Sequence, residues 1–284
     1  MVLWEPLSDA DPPYYSIWGG PEERWIDRSG KLVPFRPQPK GDDPNRLVPF
    51  REGDYLGYRR DGRTVIAPRF LQAGEFHEGR ASVVLDGPCV PSGGGLCGGP
   101  VLLPTSAVPR SVTPVDRVSG RWRPTAPPCQ YTFINESGEV VGSSGFEDTA
   151  DFREGLVAVR INRLWGYVDK NLSVVIEPQF KWAAAFSEGF AAVESAAGYS
   201  YIDRTDALRI RGPFESAGSF HEGLAAVSQN GKAHYRDRDG LLVVPGVYIH
   251  AGRFFHGLAN VRMLDGTMAY IDRKGRVVYR WKRP

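Results

Sequence analysis

Short apolar runs separated by turn residues recur along most of this chain. Trp165-Gly166-Tyr167-Val168-Asp169, Val174-Val175-Ile176 and Ala191-Ala192-Val193 are examples. In an extended strand, 165 and 167 face one way and 166 and 168 the other. Runs this short, bounded by turn residues, fit strands covered on both faces. No window holds an i, i+3, i+4, i+7 apolar stripe without a Gly or Pro crossing it, so the pattern predicts strands and no helices.

The pattern is periodic. Phe152, Phe186, Phe220 and Phe254 lie 34 residues apart, and so do Phe133, Tyr167, Tyr201 and Tyr235. Phe-x-x-Ala-x-x-Phe-x-Glu-Gly-x-Ala-Ala-Val closes two successive units, from Phe180 and from Phe214. Two landmarks with one period mean a tandem array of one supersecondary unit. The predicted fold is all-β, about six short antiparallel hairpin or three-stranded repeats in an open solenoid or superhelix. A β-propeller-like arrangement is the alternative. Ala73, Ala183, Ala217 and Ala251 recur and predict close approach between units.

The turns carry their own chemistry. Asp27, Asp237 and Asp272, and likewise Asn135, each have Gly three residues on, the signature of a type I turn closed by a left-handed Gly. Asp169 and Asp203 lack that Gly, so their turns are expected to be looser. Gly79, Gly155, Gly189, Gly223 and Gly257 each precede a strand and read as positive-φ positions. Glu precedes four of them, at 78, 154, 188 and 222. Recurrence points to a structural role for these carboxylates, accepting backbone N–H groups in the turn; catalytic residues are normally unique.

Trp165-Gly166-Tyr167-Val168-Asp169, Val175-Ile176-x-Pro178-x-Phe180, Ala183 and Phe186-x-Glu188-Gly189-x-Ala191-x-Val193 resemble the bacterial WG-repeat family. The Trp-Gly pair is intact only at Trp165-Gly166; Tyr131-Thr132, Tyr199-Ser200 and Ala233-His234 stand in its place elsewhere. The resemblance implies an all-β interaction module with no catalytic motif. It also implies proteins found near stress, secretion or toxin systems, hence an immunity or adaptor role.

The array reads as one domain over 1–284: degenerate repeats over about 14–86, an insertion at 87–129, and regular repeats over 130–284. The insertion is rich in Pro and Gly and falls where a hairpin tip belongs. It holds Cys89, Cys97 and Cys129. An odd count fits no closed disulfide framework, and reduced thiols are the simpler reading; pairing of Cys129 with Cys89 or Cys97 is the other. No Cys-x-x-Cys occurs, so no zinc site is expected.

Thirty-five basic and 33 acidic residues leave a net charge of +2, which gives no electrostatic case for nucleic acid. Met1–Pro13 lacks a basic stretch followed by an apolar core, so the expectation is a cytoplasmic protein without membrane association. No phosphate loop, nucleophile elbow or metal-ligand spacing is present, so the expected catalytic residues, cofactors and metal sites are none. The leading functional expectation is a non-enzymatic scaffold or adaptor for a protein partner. Carbohydrate or cell-envelope binding, and an enzyme on a propeller-like scaffold, are the alternatives. The candidate partner-binding residues are Trp182, which occupies a turn where other copies carry polar or smaller residues, and Trp122 with Arg121 and Arg123 in the insertion. Trp165, on the repeated strand, is expected in the core.

Overall fold

The structure is a computed structural model that describes residues 14–17, 24–34, 43, 45–85 and 130–282. Every regular element among them is a strand, and all pairing is antiparallel. The strands form six sheets, of three, four, four, three, four and six strands. The long strand Arg63–Ala73 serves two units in the six-stranded sheet, so the described residues carry seven copies of the unit. The fifth copy is the most regular: Trp182–Ala183, Phe190–Ser195, Gly198–Asp203 and Leu208–Phe214, paired in that order.

The copies fall into two compact units, residues 44–178 and residues 1–43 with 179–284. The first unit holds the second, third and fourth copies; the other holds the fifth, sixth, seventh and first.

The sequence period is preserved, but its phase differs from the expectation. The motif read as closing a unit is divided between two sheets. Phe214 ends the last strand of the fifth copy, while Ala217 lies on the first strand of the sixth and Phe220 on the connection that follows it. Phe220 then packs back on Tyr201 of the fifth copy, ring centres 5.1 Å apart. The same pairing recurs at Tyr58–Phe76 (4.9 Å), Phe133–Phe152 (5.0 Å) and Tyr235–Phe254 (4.8 Å). Edge-on aromatic pairs of this kind add about 0.5–1.5 kcal/mol each beyond the area they bury. Spacing alone cannot reveal phase, because a motif that bridges two sheets belongs to both.

Tyrosine hydroxyls repeat the connection. Tyr58 donates to the Gly74 carbonyl (2.7 Å), Tyr201 to Gly218 (2.7 Å) and Tyr235 to Gly252 (2.8 Å), each from one copy into the next. Burial raises all three hydroxyls above their ordinary pKa, so they remain donors.

The Gly of Trp-Gly has a steric cause. A Cβ on Gly166 would lie 2.5 Å from the Ile176 carbonyl oxygen and 2.7 Å from the Pro178 nitrogen; Gly57 meets Ile66 and Pro68 in the same way. In the fifth copy Ser200 replaces this Gly, and Gly212 stands opposite. There the Gly212 N–H donates to Ser200 Oγ at 3.2 Å, and a Cβ on Gly212 would strike the Tyr199 carbonyl. The space has moved across the strand pair, which lets the motif diverge without loss of the sheet.

The Asp turns lacking Gly are as well formed as the others. Leu172 (φ 63°) and Asp206 (φ 65°) adopt the left-handed conformation themselves. Their N–H groups donate to the Asp169 and Asp203 carbonyls at 2.9 and 3.1 Å. The Asp side chain supplies the constraint: Asp203 Oδ1 accepts from the N–H groups of Thr205 and Ala207, at 2.8 and 3.1 Å. The Thr205 hydroxyl and these N–H groups hold the Asp203 carboxyl well below its usual range.

The recurring Glu-Gly pairs are two-residue hairpin turns with both residues left-handed, Glu188 at φ 55° and Gly189 at 86°. Glu in that conformation costs on the order of 1 kcal/mol. Its carboxylate is placed to reach the next copy. Glu78 accepts from Gly155 N–H (2.9 Å), Glu188 from Gly223 (2.8 Å) and Glu222 from Gly257 (2.9 Å). A basic residue of that next copy adds a second bond: Lys170 to Glu78 (3.0 Å), Arg238 to Glu188 (2.9 Å), and Arg273 to the Glu222 carbonyl (2.8 Å).

The first copy docks on the seventh as if it followed it. Tyr15, Ile17 and Ile26 share a core cluster with Leu258 and Tyr270. Tyr15 packs on Tyr270 at 5.2 Å, where other copies place Phe against Tyr. Tyr270 donates to the Ser16 carbonyl at 2.9 Å, and Tyr15 to the Phe255 and His256 carbonyls at 3.1 Å each. Gly30 sits on the strand Val277–Trp281, its missing Cβ only 2.6 Å from the Val278 oxygen. The terminal copies are irregular because each completes the other.

Two outcomes test this packing. Ala217 is half-buried against the cluster of Tyr201, Phe214 and Phe220. Ala217→Leu is expected to destabilise by about 1–3 kcal/mol through overpacking, and an unchanged melting temperature contradicts it. For Glu188, burial raises the carboxyl pKa, but Arg238 and the Gly223 N–H outweigh it and the net shift is downward. A depressed carboxyl stabilises above its unfolded pKa, about 4.3 for Glu, and loses that contribution as pH falls through the folded value. Glu188→Ala is therefore expected to cost about 1–2 kcal/mol at pH 7 and progressively less toward pH 3, read by urea unfolding. An equal cost at both pH values contradicts the assignment.

Candidate functional site

The recurring Tyr, Phe and Glu-Gly positions are consumed by contacts between neighbouring copies. A different set, aligned across the first three strands of each copy, changes from copy to copy. Cross-strand pairing puts Gln72, Val84 and Tyr131 in one row, Asp148, Arg160 and Trp165 in the next, then Trp182, Glu194 and Tyr199. The sixth and seventh copies carry Ser216, Ser228 and Ala233, and His250, Arg262 and Met268. Paired residues stand on one face of the sheet, within side-chain reach. Most are exposed or half-buried; Val84 and Ala233 are buried.

Trp182 opens the first strand of the fifth copy and is 39 % exposed. Its ring meets Tyr199 at 5.8 Å between centres and 66° between planes. Glu194 is the paired residue between them. Burial first, and then the adjacent Glu194 carboxylate, raises the Tyr199 hydroxyl pKa. Two rings at a steep angle with a carboxylate between them form an open corner suited to a positively charged or planar group.

Trp165 is not in the core as expected. It stands half-buried at the outer end of its row, with the Arg160 guanidinium 5.9 Å over its ring. Arg160 also pairs with Glu147 (3.4 Å) and Asp148 (3.6 Å). The chain runs on into a close-packed Gly, and only the residues after it, Tyr167 and Val168, are fully buried.

Trp122, Arg121 and Arg123, with Cys89, Cys97 and Cys129, lie outside the described residues. The strands Ala81–Leu85 and Tyr131–Ile134 pair directly, Val84 opposite Tyr131, so the insertion does leave from a hairpin tip. The row Gln72–Val84–Tyr131 lies at its base, Tyr131 donating to Gln72 at 2.8 Å. Among the described residues no group of three His, Cys, Asp or Glu is placed to hold a metal, and His77 lies 3.3 Å from Asp151.

Glu194, Tyr199 and Arg160 escaped the sequence reading, which weighed aromatic residues one by one. The signal was available: 148, 160 and 165 become 182, 194 and 199 on adding the period, so each row is one set of equivalent positions.

The sequence model of the WG containing repeat matches residues 58–87, 131–165, 165–195 and 199–232. No curated protein matches the chain. Among solved structures, a crystal structure of a eukaryotic initiation factor is similar at 11% identity over 94% of this chain and 73% of that one, with a TM-score of 0.50. Hsv2 of Kluyveromyces lactis, with its loop 6CD replaced by a Gly-Ser linker, is 14% identical over 55% of this chain, with a TM-score of 0.38; the match spans 60% of that protein's length. BamB from Moraxella catarrhalis is 10% identical over 85% of this chain and 88% of that one, with a TM-score of 0.35. At such identities the likeness concerns fold alone. The four matched stretches cover most of the third, fourth and fifth copies with parts of their neighbours, and the chain belongs to the WG-repeat family.

Proposed function

We propose that this WG-repeat protein is a non-enzymatic scaffold that binds a protein partner through the row positions and the insertion. The observation that carries this reading is the division of labour among positions. Tyr201, Phe220, Glu188 and Gly223 recur in kind and are spent on joining one sheet to the next. Trp182, Glu194 and Tyr199 have no equivalents in the other rows as a set, and they remain accessible. In a repeat protein, side chains free to differ between units are those available for recognition. Half-buried aromatics with charged neighbours are the composition of binding hot spots. An adaptor in a stress or immunity system is the setting that family resemblance suggests.

Affinity capture from the native lysate tests this, with wild type, Trp182→Ala and a deletion of 87–129 bridged by a short turn. Val84 and Tyr131 already pair, so the shortened hairpin retains its strands. The expected result is one protein enriched by wild type and reduced about tenfold or more by at least one variant, as for loss of a hot spot. No enrichment over an unrelated bait, or equal enrichment by all three, contradicts the proposal.

A further inference from the structure

We propose that the corner formed by Trp182, Glu194 and Tyr199 receives an arginine side chain of the partner protein. This rests on the scaffold reading above and names the chemistry of one contact within it. The protein supplies its own precedent. In the equivalent row of the fourth copy, the same three positions hold Asp148, Arg160 and Trp165. There the guanidinium of Arg160 lies over an indole and between carboxylates, at 5.9 Å from the ring centre of Trp165, 3.6 Å from Asp148 and 3.4 Å from Glu147. That row is self-filled: carboxylate, cation and aromatic come from one chain.

The fifth-copy row keeps the aromatic and the carboxylate and omits the cation. Glu194 occupies the place of Arg160, Tyr199 that of Trp165, and Trp182 that of Asp148. Among the described residues no basic side chain pairs with Glu194 or lies over either ring. A guanidinium set against the exposed side of Trp182 would be faced by the π-surface of the indole, the aromatic that binds cations best, with the Glu194 carboxylate of the same row as its counter-charge. Arginine fits better than lysine, because a planar group can stack on one ring while its N–H fork meets the carboxylate.

Arginine seated on aromatic rings is this fold's habit elsewhere. Arg69 lies 5.2 Å from the centre of Phe70, and Arg59 and Arg236 lie 5.9 Å from Phe50 and Phe214. In the fifth copy Arg236 takes Phe214, the neighbour of Tyr199 across the strands, and Trp182 is left 39 % exposed.

The test titrates the full chain, 15N-labelled, with acetyl-Gly-Arg-Gly-amide and follows the Trp182 indole N–H, identified by its loss in Trp182→Phe. The control peptide carries citrulline, which keeps the shape of arginine and lacks its charge. The expected result is a saturable shift with the arginine peptide, weaker by about threefold or more with citrulline. Glu194→Gln is expected to weaken the arginine response to a similar degree, with the other indole signals unmoved as the check on folding. Glu194→Arg, which copies the Arg160 arrangement, is expected to fill the corner from within and abolish the response. No shift with the arginine peptide, an equal shift with citrulline, or an undiminished response in Glu194→Gln overturns the proposal. If lysate capture depends on Trp182 while the arginine peptide fails, the scaffold reading stands and the arginine contact falls. If capture fails for wild type while the peptide binds, the converse holds.

Discussion

A glutamate in a left-handed turn, reaching into the turn of the next copy, is the constraint around which this array is built. Glu188 adopts a backbone conformation that disfavours any residue with a Cβ, and its carboxylate meets the N–H of Gly223 and the guanidinium of Arg238. The local cost and the non-local gain are inseparable. Without the second copy the turn is merely strained, and without the turn the carboxylate cannot reach. Such a unit is stable only as part of a row, as expected for repeats whose neighbours complete one another. The tyrosine hydroxyls and the Phe–Tyr pairs act in the same direction, so the fifth, sixth and seventh copies are joined in turn by a glutamate, a hydroxyl hydrogen bond and an aromatic contact.

The seventh and first copies obey the same rules with different residues. His256 stands where Glu would be, and Tyr15 supplies the ring that Phe supplies elsewhere, its own hydroxyl donating to the Phe255 and His256 carbonyls. Tyr270 reaches the Ser16 carbonyl instead of a Gly carbonyl. The chemistry of the junction survives although its sequence signature is gone. This accounts for the degenerate look of residues near the N-terminus: their partners lie at the far end of the chain, where no local spacing can display them.

Much of the fold was legible because period 2 within strands and period 34 between units are linear properties of the chain. The turn glycines and the structural role of Glu188 were legible for the same reason, since recurrence separates scaffold from site. Phase was hidden, because Phe220 follows the opening strand of one copy along the chain and packs on the sheet of the copy before it. The Asp169 turn misled because a missing Gly suggests looseness, whereas the Asp side chain holds Leu172 in place. Trp165 misled because an aromatic on a repeated strand suggests burial, whereas it sits one residue from the hairpin end of its strand, half-buried beside Arg160, and only Tyr167, further along the same face, reaches the core. Trp182 was visible as an outlier of its repeat position. Its companions Glu194 and Tyr199 were not, because a row across three strands is a property of register.

Amide hydrogen exchange at Gly223 tests the central claim most directly. Gly223 lies in a surface turn, where an unbonded N–H would exchange freely, yet its N–H is held by Glu188 of the preceding copy. The account predicts slow exchange at Gly223 in the wild type and fast exchange in Glu188→Ala, with Gly257, held by Glu222, unchanged. Equal exchange at Gly223 in both proteins would contradict it and would leave the glutamates as ordinary turn residues.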